Sequence, residues 1–537
     1  MPSNSVQEAA VDPVVAVDEL ISWLLSAAVH CALGVAIGVL IARTMRSRHL
    51  HWSWAAGAGA IVVLARPVLA GWTATLAIAA LLASIRGRRW HREDLDAGVD
   101  LAEIAAARTS AVDLIGSLAR PVALHVCARM RTATHRRARE LQLGVDERGR
   151  AARVPFALAG GSHTLVVGAT GSGKTVTQAW IAAAAIERGM GAVVLDPKGD
   201  RDLREQLRRG ALAAGRAFLE WTPEGDRVYN PYARGGVSEI ADKALAGERF
   251  TEPHYLRQAQ RYLAHAVRAL RQSGAEVSLR AIVEQLEPAR LEQLARGLPD
   301  AGARATFAYL DGLSSRQQSE LAGVRDRLAI LAESDVGPWL DPQTDAERFD
   351  LLAAVRSRAV VYFSLQSDSR PLLSEMLGAA IVQDLQTTVA CLQASPVPTL
   401  VAIDEFSAIA ATQVVGLFAR ARSAGFRLLL GTQELSDLRP PGRERLLEQV
   451  LGNLSVLIAH RQVVPDSAEL IASLAGSRGA WRVTRHSDGR STRTRGHEPV
   501  LEAERVMRLG RGWAAVLVLD QQPSARLTRI CSPGRPW

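Results

Sequence analysis

Residues 168–175 read Gly-Ala-Thr-Gly-Ser-Gly-Lys-Thr, the spacing G-x-x-x-x-G-K-[ST], with an apolar run, Leu165 to Val167, before it and a helical pattern behind it. In that setting the stretch predicts a phosphate cradle. Gly168, Gly171 and Gly173 let backbone N–H groups curl around an anion, and the new helix adds its positive end. Lys174 is placed to reach the β- and γ-phosphates of ATP and Thr175 to bind Mg²⁺, with Ala169, Thr170, Ser172 and Val176 completing the loop. A second element, "TLVAIDEF" at 399–406, is an apolar strand ending in two acids. Asp404 is expected in the Mg²⁺ shell and Glu405 as the group that polarises the attacking water. "FRLLLGTQ", 426–433, ends in Gln433, whose amide is placed to sense the γ-phosphate. Just before it, "LFARARSAGF" carries Arg420 and Arg422 at a helix end, either as surface charge or as a finger reaching a neighbouring subunit's nucleotide. "GAVVLDPKGD" sets Asp196, Lys198 and Asp200 at a strand's carboxyl end, the edge where open α/β sheets bind ligands.

The elements that must position these groups are legible as buried strands at 165–167, 191–196, 359–365, 399–406, 426–433 and 454–461, separated by helical stretches. They predict an α/β fold with a parallel sheet and crossover helices. The helix from 174 is expected to stop at Gly189. "LQLGVDERGRAARVPFAL" reads as a hairpin turning at Asp146 to Gly149. From about 236 to 350 the strand signals vanish and helical periodicity takes over, so an all-α insertion is expected there. The expected organisation is a membrane anchor at 1–92, stalk helices and hairpin at 93–159, a first nucleotide-binding part at 160–235, the all-α insertion at 236–355 and a second nucleotide-binding part at 356–537. The basic, loop-like stretch 476–498 holds Arg482, Arg485, Arg490 and Arg493, which either track a nucleic-acid backbone or form a solvated hairpin tip.

The chain of 537 residues is 48% hydrophobic, enough for two or three domains with a large core. Its net charge of +9 rests on arginine, since only Lys174, Lys198 and Lys243 are lysines, and it favours an anionic partner such as nucleic acid or lipid headgroups. The four cysteines form neither a metal-ligand spacing nor a disulfide framework, which fits a reducing compartment for the main body. Residues 20–42 carry no formal charge and are long enough to span a bilayer, and acids rather than a basic region precede them. A second apolar region, 52–85, is interrupted at Arg66-Pro67, with Trp52, Trp54, Trp72 and Trp90 as interfacial anchors. Arginines at 43–48 and 86–92 both favour the cytoplasmic side. That leaves two crossings with one cluster outside, or three with an outside N-terminus.

"GATGSGKT", "VVLDPKGD", "VYNPYARGG", "VAIDEF" and "ARSAGFRLLLGTQ", in that order, resemble the type IV coupling proteins of conjugation systems, the TraD/TraG type, over roughly 160–530. The resemblance implies a RecA-like P-loop ATPase with N-terminal transmembrane helices, multi-pass in the inner membrane with its ATPase domain in the cytoplasm. It implies a homo-hexamer that delivers DNA with a covalently attached relaxase, single-stranded or duplex, to type IV secretion channel proteins, using ATP and Mg²⁺. It puts the family's arginine finger on Arg422 and its sensor glutamine on Gln433. Asp196, Pro197 and Lys198 match one family motif, and Asn230 with Pro231 another, of structural kind. The short basic loop between the apolar regions departs from the family's two clean spans. No long acidic tail follows residue 520, so partner choice is expected to rest on the helical insertion or elsewhere. Two other readings stand beside it: an FtsK/HerA-like duplex translocase, against which the long insertion argues, and a nucleotide-gated docking receptor with little hydrolysis.

Overall fold

The computed structural model describes residues 13–47, 51–65, 70–96, 140–147, 149–156, 161–248, 250, 252–409, 411–440, 445–485, 491–520 and 523–531. The chain divides into two units, 1–124 with 477–498, and 125–476 with 499–537.

Helix α1 (Pro13–Ser47) carries the expected apolar run. Its segment Leu20–Met45 alone, among the described residues, is both long and apolar enough to cross a bilayer. The second apolar region gives α2 (Ser53–Leu64) and α3 (Thr73–Asp96) instead of further spans of that kind. The 12 residues of α2 rise about 18 Å, short of a hydrocarbon layer of about 30 Å. Helix α3 turns charged from Arg86 onward. The expectation of several crossings is thus not carried by these helices. Helix α1 lies against α3 through glycine: a Cβ at Gly34 would stand 2.9 Å from the Thr75 carbonyl oxygen, and one at Gly38 2.8 Å from that of Ala79. His30 Nδ1 and Thr75 Oγ1 share a 2.8 Å hydrogen bond at the same seam. Small residues permit this approach where lipid, not water, surrounds a helix pair. The expected stalk falls mainly on 97–139, outside the described residues.

In the second unit β1 (Glu140–Asp146) and β2 (Ala151–Pro155) form the expected antiparallel hairpin. Then come β3 (His163–Val167), α4 (Lys174–Glu187), β4 (Gly191–Asp196), α5 (Arg201–Ala213) and β5 (Phe218–Trp221). A small parallel ladder of β6 (Arg227–Val228) and β7 (Glu347–Arg348) brackets a purely helical run: α6 (Val237–Ala244), α7 (Pro253–Gln272), α8 (Leu279–Glu284), α9 (Pro288–Ala295), α10 (Asp300–Asp311) and α11 (Ser315–Ala332). After α12 (Leu351–Arg356) follow β8 (Val360–Ser364), α13 (Pro371–Leu392), β9 (Thr399–Ile403), α14 (Phe406–Ile409), α15 (Ala411–Ala421) and β10 (Phe426–Thr432). The chain continues through α16 (Leu446–Leu451), β11 (Leu454–Ala459) and α17 (Pro465–Ala475). The basic stretch, which belongs to the first unit, forms two long strands, β12 (Ser477–Arg485) and β13 (Ser491–Pro499), rather than a loop. Helix α18 (Ala503–Met507), β14 (Trp513–Val518) and β15 (Ser524–Ile530) complete the described chain.

Eleven strands make one sheet in the order β2-β1-β15-β14-β11-β3-β10-β9-β4-β8-β5. From β11 to β5 neighbours are parallel; from β11 out to β2 they are antiparallel. The parallel sheet expected from sequence is therefore the larger part of a mixed one. Strands β3, β4 and β8 to β11 are buried at every position, which explains why apolar residues dominate them. Burying a leucine such as Leu428 or Leu430 contributes roughly 1.5–3 kcal/mol as an upper figure. Arg427 ties the two halves: Nη1 donates to the carbonyls of Ser162 at 2.8 Å and Pro155 at 3.3 Å, and its guanidinium lies over the Phe156 ring. Burial pushes it down to about 9.

The helical run is fastened to the sheet by polar groups as well as by the shared core. Lys243, 1% exposed, donates to Asp384 Oδ1 at 2.7 Å and to the carbonyls of Pro231 and Arg234 at 2.5 and 3.0 Å. All three ammonium protons are thereby used. The Tyr229 hydroxyl donates to Asp384 Oδ2 at 2.7 Å. Asn230 Nδ2 donates to the Val277 carbonyl at 2.8 Å while its Oδ1 accepts from Tyr232 N. Burial pushes the Asp384 carboxyl up, and Lys243 opposes it. Removing one partner strands the other. Lys243→Met should cost about 3–5 kcal/mol in urea unfolding of the purified chain. Adding Asp384→Leu should recover most of it; a stable single variant would show the pair to be dispensable.

Candidate nucleotide site

The loop after β3 enters α4 with Gly171 at φ 76° and Gly173 at φ 113°, a left-handed path that a side chain would resist. Gly173 is the N-cap and offers no side-chain acceptor, so the first-turn amides of α4 are left for an anion. A cavity of about 610 Å³ opens over this loop. Ala169, Thr170, Lys174, Thr175 and Val176 line it from one side and Asp404 and Glu405 from the other. All stand at the carboxyl edge of the parallel strands.

Glu405 is the hub. Its Oε1 accepts from Lys174 Nζ at 2.6 Å, Gln433 Nε2 at 3.1 Å and Lys198 Nζ at 3.3 Å. Burial pushes its carboxyl up, but the hydrogen bond and charge of Lys174, then Lys198 and Gln433, outweigh that and hold it below the usual range. Its backbone has φ 45°, a left-handed conformation that costs a non-glycine residue of order 1–3 kcal/mol. Strain of this kind is kept where the surroundings over-determine it. Asp404 Oδ1 lies 3.5 Å from Lys174 Nζ and accepts from Gln178 Nε2 at 3.1 Å. Thr170 Oγ1 donates to Gln433 Oε1 at 3.5 Å, so Gln433 bridges the phosphate loop and Glu405.

The Asp196–Asp200 motif, unexplained from sequence, is a built turn. Asp196 Oδ1 accepts from Lys198 N and Gly199 N, and its Oδ2 from Asp200 N and the Tyr362 hydroxyl. Asp200 in turn caps α5 by accepting from Asp202 N and Leu203 N. The turn's product is the placement of Lys198 in the cavity wall.

The antiparallel half braces the loop from behind. Gly512 N donates to the Ser172 carbonyl at 3.1 Å. His460 Nδ1 lies 3.0 Å from the Trp513 carbonyl oxygen, which only an N–H can satisfy, so Nε2 accepts from Thr177 Oγ1 at 2.9 Å. Burial pushes His460 down to about 4, and the neutral ring suits this role.

Arg422 stands elsewhere in its own chain. Its Nη2 donates to the Gly161 carbonyl at 3.2 Å, ahead of β3 and so at the amino edge of the sheet, away from the phosphate loop. Arg482 and Arg485 fall on β12 and Arg493 on β13; Arg490 lies outside the described residues. Asn230 belongs to the helix–sheet seam and not to the cavity. Sequence reasoning missed Gln178, His460 and Arg511, the last of which also lines the cavity. Gln178 had a signal, four residues from Lys174 and hence on its face of the helix.

Thr175 and Asp404 supply hard oxygen donors of the kind Mg²⁺ takes with few protein ligands. Among the described residues no group of three His, Cys, Asp or Glu side chains could hold a metal, so a cation here depends on phosphate oxygens as well.

Residues 398–511 match the family model described as the TraM recognition site of TraD and TraG, and residues 152–336 that of the central domain of the helicase HerA. No curated protein matches the chain. Among solved structures, the unbound monoclinic form of the bacterial conjugative coupling protein TrwBdeltaN70 is similar at 17% identity, covering 77% of this chain and 93% of that one, with a TM-score of 0.54. The plasmid coupling protein TrwB in complex with ADP and Mg²⁺ aligns at 18% identity over 77% and 94%, TM-score 0.54. VirB4 of Thermoanaerobacter pseudethanolicus aligns at 14% over 74% and 97%, TM-score 0.51. The shared fold is the RecA-like P-loop fold.

Gly431 on β10 gives a local test of the site. A Cβ there would lie 2.1 Å from Gln178 Nε2 and 2.3 Å from Asp404 Oδ1. Gly431→Ala should therefore displace the Asp404 carboxylate. The dependence of nucleotide affinity on Mg²⁺, read with a fluorescent ATP analogue, should weaken by about tenfold or more, equivalent to ~1.4 kcal/mol. An unchanged dependence would mean that the carboxylate has another way to sit.

Proposed function

With the TraD/TraG resemblance holding in both sequence model and fold, we propose that the chain is a membrane-anchored ATPase that drives conjugative DNA transfer. The observation that carries this is the convergence of Lys174, Asp404 and Glu405 on one cavity, with Gln433 hydrogen-bonded to Glu405 behind it. Helix α1 supplies the anchor. In this reading ATP lays its phosphates along the 168–176 loop, and Lys174 leaves Glu405 for the β- and γ-oxygens. Thr175 and Asp404 would hold Mg²⁺, which would supply positive charge against the phosphates. Glu405, freed from Lys174, accepts a proton from the attacking water, and Gln433 carries the state of the γ-phosphate to the loop through Thr170.

A finger at the amino edge cannot serve its own nucleotide. Arg422 is read as completing the site of the next subunit in a homo-hexameric ring, and the cargo as DNA with its relaxase, passed to a type IV secretion channel. The match to the HerA central domain favours a second reading, a duplex DNA translocase.

ATP turnover by the purified chain, measured across protein concentration with single- or double-stranded DNA, separates these. Cooperative rise with concentration and with single strands supports transfer; a response to duplex alone supports translocation along DNA. Lys174→Ala should abolish turnover and transfer together. Arg422→Ala should leave nucleotide affinity within about threefold and remove turnover, a loss confined to the transition state. Loss of binding instead would put Arg422 outside any shared site.

A further inference from the structure

Lys198 is the member of the site that the proposed chemistry leaves without a task. It shares Glu405 Oε1 with Lys174, at 3.3 Å against 2.6 Å. The two cations reach that oxygen from different supports. Lys174 belongs to the phosphate loop and is buried to 8% side-chain exposure; Lys198 stands on the turn after β4 and is 43% exposed. Strand β4 is hydrogen-bonded to β9, with Leu195 opposite Ile403, and the turn is pinned by Asp196 and Tyr362. The backbones that carry Lys198 and Glu405 are thus set by the sheet and not by whatever fills the phosphate loop. A polyphosphate outcompetes one carboxylate for Lys174, because it brings more negative charge to the same ammonium. Glu405 would then keep only Gln433 and Lys198.

Resting on the ATPase reading above, we propose that Lys198 is a positioning residue for hydrolysis: it holds the Glu405 carboxylate in place when nucleotide draws Lys174 away. Lys198 acts through Glu405 and touches no reacting atom.

The experiment uses the full chain, read by equilibrium binding of a fluorescent ATP analogue and by steady-state turnover of ATP. Lys198→Met should leave affinity within about threefold and lower kcat by about tenfold or more, since the loss falls on the transition state and not on ground-state binding. Lys198→Arg, which keeps the charge at a half-exposed side chain, should stay within about threefold of the wild type in kcat. Unchanged kcat in Lys198→Met overturns the inference. So does a matching loss of affinity, which would make Lys198 a phosphate ligand, and so does a Lys198→Arg variant as slow as Lys198→Met. A wild-type chain without turnover sinks the ATPase reading and this inference with it; failure of the Lys198 variants against an active wild type sinks this inference alone.

Discussion

Lys174 reaches Glu405 only because β3, β10, β9 and β4 run in fixed register. Leu165 and Ile403 both pair with Leu430, and Ile403 also pairs with Leu195. The residues that follow those pairs are therefore delivered to one edge at one height. A slip of one residue would turn every side chain of a strand to the opposite face. The apolar runs resist that slip, since both faces of these strands are buried and each position has a packed neighbour. The chemistry of the site is in this sense a by-product of hydrophobic registration.

The charges at that edge balance within themselves. Two ammonium groups meet two carboxylates; Lys174 and both acids are nearly closed to water, while Lys198 is half-exposed. Low surrounding dielectric makes such a set costly to break by halves. An incoming polyphosphate with a divalent cation offers a new set of partners, so the exchange can proceed without leaving a bare charge. The strained backbone at Glu405 and the Asp196 turn keep two of the partners from following the ligand.

Local signals served the reading of the parallel strands, the phosphate loop and the acidic strand end, because each depends on residues adjacent in the chain. The hairpin of β1 and β2 was equally visible through its turn. The joining of that hairpin to β15 was not, since it depends on pairing between chain segments hundreds of residues apart. His460 and Gly512 escaped for the same reason: nothing near them in sequence tells of Thr177 or Ser172. Asp196 was singled out but unexplained, because its four partners are backbone amides and a tyrosine whose approach only the folded sheet produces. The amino-edge place of Arg422 follows from α15 leading into β10, and could have been read from the helix-then-strand order alone. The basic stretch misled in the other direction, as its arginine, serine and glycine content read as a loop where two long strands form.

The scarcity of lysine has a practical side. Lys243 is enclosed by its carboxylate and carbonyls, and Lys174 lies at the floor of the cavity with 8% of its side chain exposed. Lys198 is the one lysine side chain substantially open to solvent. Amine-directed acylating reagents, which attack only an accessible unprotonated amine, thus meet a single open lysine side chain. A chain of 537 residues rarely offers so selective a handle. A fluorophore or cross-linker attached there would sit at the mouth of the nucleotide cavity without any engineered cysteine, and occupation of the cavity would register as protection from the reagent.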